Sequence, residues 1–203
     1  MVLKLQINEI DFGDVILKAL PVLREKVSDD GSAVSKIIAV VTQLPSEVIR
    51  TMLDAVPRED KQEIVALLVR ENKDKLCEVL SRLLKENEID VSLDAVSLSN
   101  ELELCVAVSN LNYAALAEKY LPLIREGLVI QENPASAMLA ALLKLPKMLL
   151  FGALAKIPQN KKDETVVYLI NKNKDRIIAK LEDVLAKQDI RICLGDLKAE
   201  VSF

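Results

Sequence analysis

Charged residues that recur in step along the chain are the first candidates for chemistry. Arg24 and Glu25 return as Arg125 and Glu126, Lys61 and Glu63 as Lys162 and Glu164, and Asn72-Lys73-Asp74 as Asn173-Lys174-Asp175. A guanidinium presents a planar fork of donors to a carboxylate or phosphate, so Arg24, Glu25, Arg125 and Glu126 form the candidate binding set. Glu63 and Glu164, if brought together, would be raw material for acid–base catalysis. A plainer account competes. Residues three or four apart on a helix make surface ion pairs, and asparagine followed by aspartate suits a helix start. On that balance no catalytic residue is assigned.

The 203-residue chain has no histidine, which removes Ser-His-Asp and Cys-His nucleophile systems and most zinc and haem sites. Its five glycines are scattered, so neither a P-loop nor a dinucleotide-binding glycine fingerprint is present. These absences argue against the common enzyme classes and lead to the expectation of no cofactor and no metal. Cys77, Cys105 and Cys193 stand far apart with no C-x-x-C spacing, and read as reduced thiols in an intracellular protein. Met1 to Asn8 alternates apolar and polar residues, which is not the pattern of a signal peptide; a cytoplasmic location is expected.

The net charge of −4 divides unevenly: 13 Lys and Arg face 19 Asp and Glu through residue 101, and 14 face 12 beyond it, giving −6 and +2. Such a difference favours attraction between the halves or between chains, and the balance does not suit nucleic acid.

The elements that must position these residues emerge when the chain is slid against itself. A shift of about 101 residues aligns nearly the whole length, with roughly a quarter of positions identical. Pro21, Pro45 and Pro57 fall on Pro122, Pro146 and Pro158. Proline fixes φ and lacks an N–H, so matched prolines mean matched helix boundaries. Pro21 and Pro122 fall inside apolar stripes, where each helix must kink or divide. Between Pro45 and Pro57 the stripe Val48, Ile49, Met52, Leu53 and Val56 predicts a short helix, answered by Leu149, Leu150, Ala153, Leu154 and Ile157. The run Ile37 to Val41 would pass for a buried strand alone, but its partner Met138 to Leu142 consists of helix formers, so both read as central helices. Turns are expected at 28–32 and 129–133. The last helix of each half should bury Leu76, Leu80, Leu83 and Leu84, or Ile177, Leu181, Val184 and Leu185.

Strands open and close each half. Leu3, Leu5 and Ile7 alternate with polar residues, as do Leu104, Val106 and Val108. Asp11 and Asn112 stand where helix N-caps are wanted. At the close, Ile89, Val91 and Leu93 alternate and then shift phase into Val96 and Leu98; Ile190, Ile192 and Leu194 shift likewise into Leu197, Ala199 and Val201. A hairpin turn at Asp94-Ala95 and Gly195-Asp196 accounts for the shift, with a β-bulge as the competing reading.

The architecture expected is therefore α+β, mainly α, in two tandem repeats of about 100 residues (1–100 and 101–203). Each would be a strand, about five helices and a strand hairpin, closely packed around a pseudo-twofold axis with edge strands paired between the units. Lys144, Pro146, Lys147 and Gly152 interrupt the most apolar stretch, so no transmembrane segment is expected. For function, the repeat and the missing catalytic motifs favour a non-enzymatic protein–protein interaction or scaffold protein, acting on a protein partner or on itself. The alternative is a small-molecule or lipid carrier with an apolar groove between the helices of the second half, taking an acyl chain. A carboxylate- and lysine-dependent enzyme, with Glu63, Glu164, Arg24 and Arg125 in one cleft, ranks third.

Overall fold

A computed structural model describes residues 1–26, 33–127 and 140–202. In chain order the first half gives β1 (Val2–Ile10), α1 (Phe12–Lys26), α2 (Ala33–Val41), α3 (Ser46–Asp54), α4 (Arg58–Glu71), α5 (Lys73–Glu86) and β2 (Ser92–Leu98). The second gives β3 (Glu103–Ser109), α6 (Tyr113–Gly127), α7 (Lys147–Lys156), α8 (Gln159–Lys172), α9 (Lys174–Ala186) and β4 (Ile192–Glu200). The fold is α+β and mainly helical. The turns expected at 28–32 and 129–133 lie outside the described residues, as do Met138 and Leu139.

Local chemistry sets the helix boundaries. Asp11 Oδ1 accepts the Asp14 N–H and Asn112 Oδ1 accepts the Ala115 N–H, each at 3.1 Å, capping α1 and α6 as their side chains predict. Each of these helices runs through its proline as one element, Pro21 or Pro122, where division was the other expectation. Pro45, Pro57, Pro146 and Pro158 immediately precede α3, α4, α7 and α8, where a fixed φ and a missing N–H cost nothing. Asn72 and Asn173 do not cap the helices that follow them. Their amides turn back and donate to the carbonyls of Leu68 and Leu169 at 2.8 Å, closing α4 and α8. A residue between two abutting helices can serve either end, and here the free carbonyls of the earlier helix take it.

The sheet has the order β2-β3-β1-β4 and is antiparallel throughout. The first strands of the two halves pair at the centre, Leu3 with Val106, Lys4 with Cys105 and Leu5 with Leu104. The closing strands cross over: β2 lies on β3 of the second half and β4 on β1 of the first. Each closing segment is one strand with a register shift, at Leu93/Ala95 in β2 and in the pairing of β1 with β4, so the bulge replaces the expected hairpin. A bulge inserts one residue and restores the apolar side chains to one face, which is the phase shift seen in the sequence. Pairing in the sheet begins at Ser92 and Ile192, later than the alternation from Ile89 and Ile190 implied.

Apolar side chains collect on the helix-bearing side of this sheet. Ile16, Ile38, Ile49, Leu53 and Ile64 make one core among α1, α2, α3 and α4, and Leu142, Leu150 and Leu154 make another in the second half. Ile7, Leu102 and Leu194 form a third under the sheet. Leu102 reaches it from the β2–β3 turn with φ of 58°, a strained left-handed conformation for a leucine. Full burial of the side chain, worth about 2 kcal/mol, offsets that strain.

Four stripes are narrower than the spacing implied. In α3 only Ile49 and Leu53 are buried while Val48 and Met52 are exposed, and in α7 Leu150 and Leu154 are buried while Leu149 is exposed. In α5 and α9 no residue is fully buried, and Leu83, Leu181 and Val184 are exposed. These two helices cover the outermost strands, β2 and β4, and so meet solvent on much of their circumference. The run Ile37 to Val41 is helical as the repeat argued, yet Val40 is exposed, so α2 is not buried all round.

Candidate functional site

Arg24 and Glu25 occupy the last turn of α1, and Arg125 and Glu126 the last turn of α6. The side chains of all four lie outside the described residues. Glu63 is on α4, which packs on β2, and Glu164 is on α8, which packs on β4, so the two carboxylates sit with opposite edges of the sheet. Glu164 instead meets Lys161 of its own helix at 3.0 Å. That is the surface pair expected of residues three apart.

Other polar groups are engaged in holding elements together. Asp14, buried at the start of α1, meets Arg50 of α3 at 2.5 Å, with Arg191 Nε at 3.8 Å from its second oxygen. This carboxylate ties the first-half helices to the segment entering β4. The Tyr113 hydroxyl donates to Asp163 and accepts from the Gln159 amide at 3.0 Å, while Lys162 lies 5.7 Å from the ring centroid. Burial, then the neighbouring Asp163 carboxylate, pushes the Tyr113 hydroxyl well above the usual tyrosine range. Cys105 stands on the open face of the sheet beside Lys4, and burial, with Glu103 next, raises its thiol above the ordinary value. A raised thiol is a poor nucleophile. Cys193 is exposed on β4. Among the described residues no group of three or more Cys, Asp or Glu is placed to hold a metal ion, and no helix is long and apolar enough to cross a membrane.

The two outer edges of the sheet differ in a way that individual residues explain. Along β4 the Leu194 N–H donates to Glu182 Oε1 at 2.8 Å and the Leu197 N–H to Asp196 Oδ1 at 3.0 Å. The Ala199 N–H donates to Asn171 Oδ1 at 2.8 Å, and the Asn171 amide returns a bond to the Ala199 carbonyl at 3.0 Å. Lys174 holds Asp196 in place at 2.6 Å. This edge is occupied by side chains from α8, α9 and β4 itself.

On β2 the counterparts of Asn171, Glu182 and Asp196 are Arg70, Ser81 and Ala95. The Val108 N–H bonds the Met1 carbonyl, so Val108, Val106 and Leu104 turn toward β1 while Cys105 turns toward β2, opposite Ser97. Val96 and Leu98 therefore direct their N–H and C=O groups outward, and among the described residues no side chain takes them. Sequence reading found neither the covered edge nor the open one. The signal was the set of positions at which the halves disagree, whereas the candidates had been sought where they agree.

Apolar side chains also meet solvent at two further places. A groove of about 200 Å³ between α2 and α3 is walled by Ile37, Val40, Val41, Met52, Leu53 and Val56. It belongs to the first half, while the sequence had pointed to the second. On α7, Met148 is 86% and Leu149 60% exposed, where α3 carries Glu47 and Val48. A scan against protein-family models, a search of curated proteins and a search of solved structures each return no match.

Proposed function

We propose that the chain is a non-enzymatic protein-interaction or scaffold protein built by internal duplication, with units 1–100 and 101–203 related by a pseudo-twofold axis through the Lys4–Cys105 pair. The strand register supports the duplication: exchanging each residue for its counterpart turns the pair Leu3 with Val106 into Leu104 with Leu5, and Leu98 with Leu104 into Ala199 with Leu3. Tertiary hydrogen bonds follow the same rule. Ile7 N–H to Leu102 answers Val108 N–H to Met1, and Asp11 N–H to Arg191 answers Asn112 N–H to Asp90. The Lys18 ammonium on the Gln188 carbonyl answers Lys119 on that of Asn87.

The observation that carries the interaction reading is the outer face of α7. Met148 and Leu149 expose apolar side chains where the matching positions of α3 are Glu47 and Val48. An adjacent exposed methionine and leucine on α7, with Met148 standing where α3 carries Glu47 and Leu149 more exposed than Val48, suit a surface reserved for a protein partner. Covalent capture in cells from a photo-cross-linking residue placed at Gly152, exposed one turn further along α7, tests this when the native Met148 and Leu149 are compared with the Met148→Asp, Leu149→Asp double variant carrying the same probe. A partner held by the native protein and lost by the variant supports the reading; identical capture by both, or turnover of ester, phosphate or nucleotide substrates, overturns it.

The α2–α3 groove favours a second reading, a carrier of a small apolar ligand or acyl chain. Native mass spectrometry of the purified protein would show a bound ligand displaced by Val40→Gln; an empty protein in both forms rules the carrier out.

A further inference from the structure

We infer that β2 is the docking edge for a second copy of this chain, which pairs antiparallel with it to make one continuous eight-stranded sheet. The inference deepens the interaction reading by naming one partner, and it rests on that reading but on a different surface from α7.

Three observations lead to a second copy. The first is the contrast between edges: on β4 the outward N–H groups of Leu194, Leu197 and Ala199 and the Ala199 carbonyl are taken by Glu182, Asp196 and Asn171, while among the described residues no side chain takes the outward groups of Val96 and Leu98. A row of free backbone donors and acceptors is a template for strand addition, and natural edges are normally covered or guarded.

The second observation is the sequence of the strand. Ser92 to Leu98 contains neither proline nor lysine, and its single charge, Asp94, already accepts a hydrogen bond from the Ser109 hydroxyl at 2.7 Å. Antiparallel self-pairing about Ser97 sets Val96 against Leu98 of the other copy on the helix side and Ser97 against Ser97 on the open side. No like charges meet, and Val96 and Leu98 of both chains exchange four backbone hydrogen bonds.

The third is closure. A chain with one open edge and one covered edge pairs once and stops, giving a twofold dimer in which the same strand of each copy is used. A foreign strand would need no such neutrality and no such stop.

The test transfers the β4 covering onto β2. Arg70→Asn, Ser81→Glu and Ala95→Asp place the three covering side chains at the matching positions, where Lys73 already stands for Lys174. Sedimentation or light scattering should find the native protein dimeric and this triple variant monomeric with an unchanged circular dichroism spectrum. The dimer dissociation constant should rise about 30-fold or more, the factor for four backbone hydrogen bonds at the low end of their net contribution. Should the triple variant fail to fold, Ser97→Lys at an exposed position decides, since it sets two ammonium groups opposite each other and should weaken the dimer. In a background lacking Cys77, Cys105 and Cys193, Ser97→Cys should cross-link the copies on oxidation. A native protein monomeric at every concentration, or a dimer that survives both edge variants, overturns the inference; so does a monomer whose β2 binds another protein's strand. None of these results alters the outcome at Met148 and Leu149, so the two readings fail separately.

Discussion

Leu53 and Leu154 occupy matching places in α3 and α7, and they are 2% and 6% exposed. With Ile49 and Leu150 respectively, each is one of two buried apolar anchors of a short helix that shows solvent its other face. Leu53→Asp or Leu154→Asp buries a carboxylate among apolar side chains, an effective cost of several kcal/mol on top of about 3 kcal/mol of lost packing. Total stabilities of single domains run about 5–15 kcal/mol, so either variant should be unfolded or reduced to a small fraction of native stability. Urea titration followed by circular dichroism checks this; two soluble variants with the native midpoint would remove those helices from the interior. Val48→Asp and Leu149→Asp, on the exposed side of the same helices, make the matched controls and should change stability little.

At the scale of elements, the Lys174–Asp196 pair couples α9 to the β4 bulge and can be read by pH. The Lys174 ammonium, first through its hydrogen bond, holds the Asp196 carboxyl below its ordinary 3.8. A carboxyl lowered in the folded state contributes stability above its unfolded value, and the contribution is lost as pH falls through the folded value. Lys174 is raised above 10.5 by the same hydrogen bond, so its share is lost at the alkaline end. Asp196→Asn should therefore lower the urea midpoint at neutral pH and flatten its fall below pH 3.8; a midpoint and an acid limb equal to the native ones would show that the pair holds nothing. The bulge beside this pair was visible in the sequence as a shift of phase, but alternation alone does not separate a bulge from a hairpin. Helix starts were legible because proline acts through its own φ and the caps Asp11 and Asn112 through a side-chain oxygen on an N–H three residues on, both local effects. Burial was less legible. Periodicity marks the apolar side of α5 and α9 without telling that the strands beneath are the outermost ones. The polar pairs retained in both halves drew attention to Arg24, Glu25, Arg125 and Glu126, whereas the edge chemistry lies in Asn171, Glu182 and Asp196, which have no matching partner.

For the whole molecule, the order β2-β3-β1-β4 places the closing strand of each half at an outer edge, and under the proposed duplication these two edges correspond to each other while carrying different side chains. If copies pair through β2 as inferred, three residues on the other edge control assembly. Asn171→Ala, Glu182→Ala and Asp196→Ala free the outward groups of Leu194, Leu197 and Ala199. Each chain would then carry two open edges, and pairing no longer ends at a dimer. The expected product is an open-ended series of species whose mean size rises with concentration, seen by sedimentation and as extended particles in negative stain. Lys198 and Glu200 remain on β4, so growth through that edge should weaken or strengthen with salt, while pairing through the nearly uncharged β2 should not. Combining the three alanines with Arg70→Asn, Ser81→Glu and Ala95→Asp moves the open edge from β2 to β4 and should restore a closed dimer. A triple-alanine protein that stays folded and no larger than the native form would mean that those side chains do not guard the edge, and that the difference between the two halves has another origin.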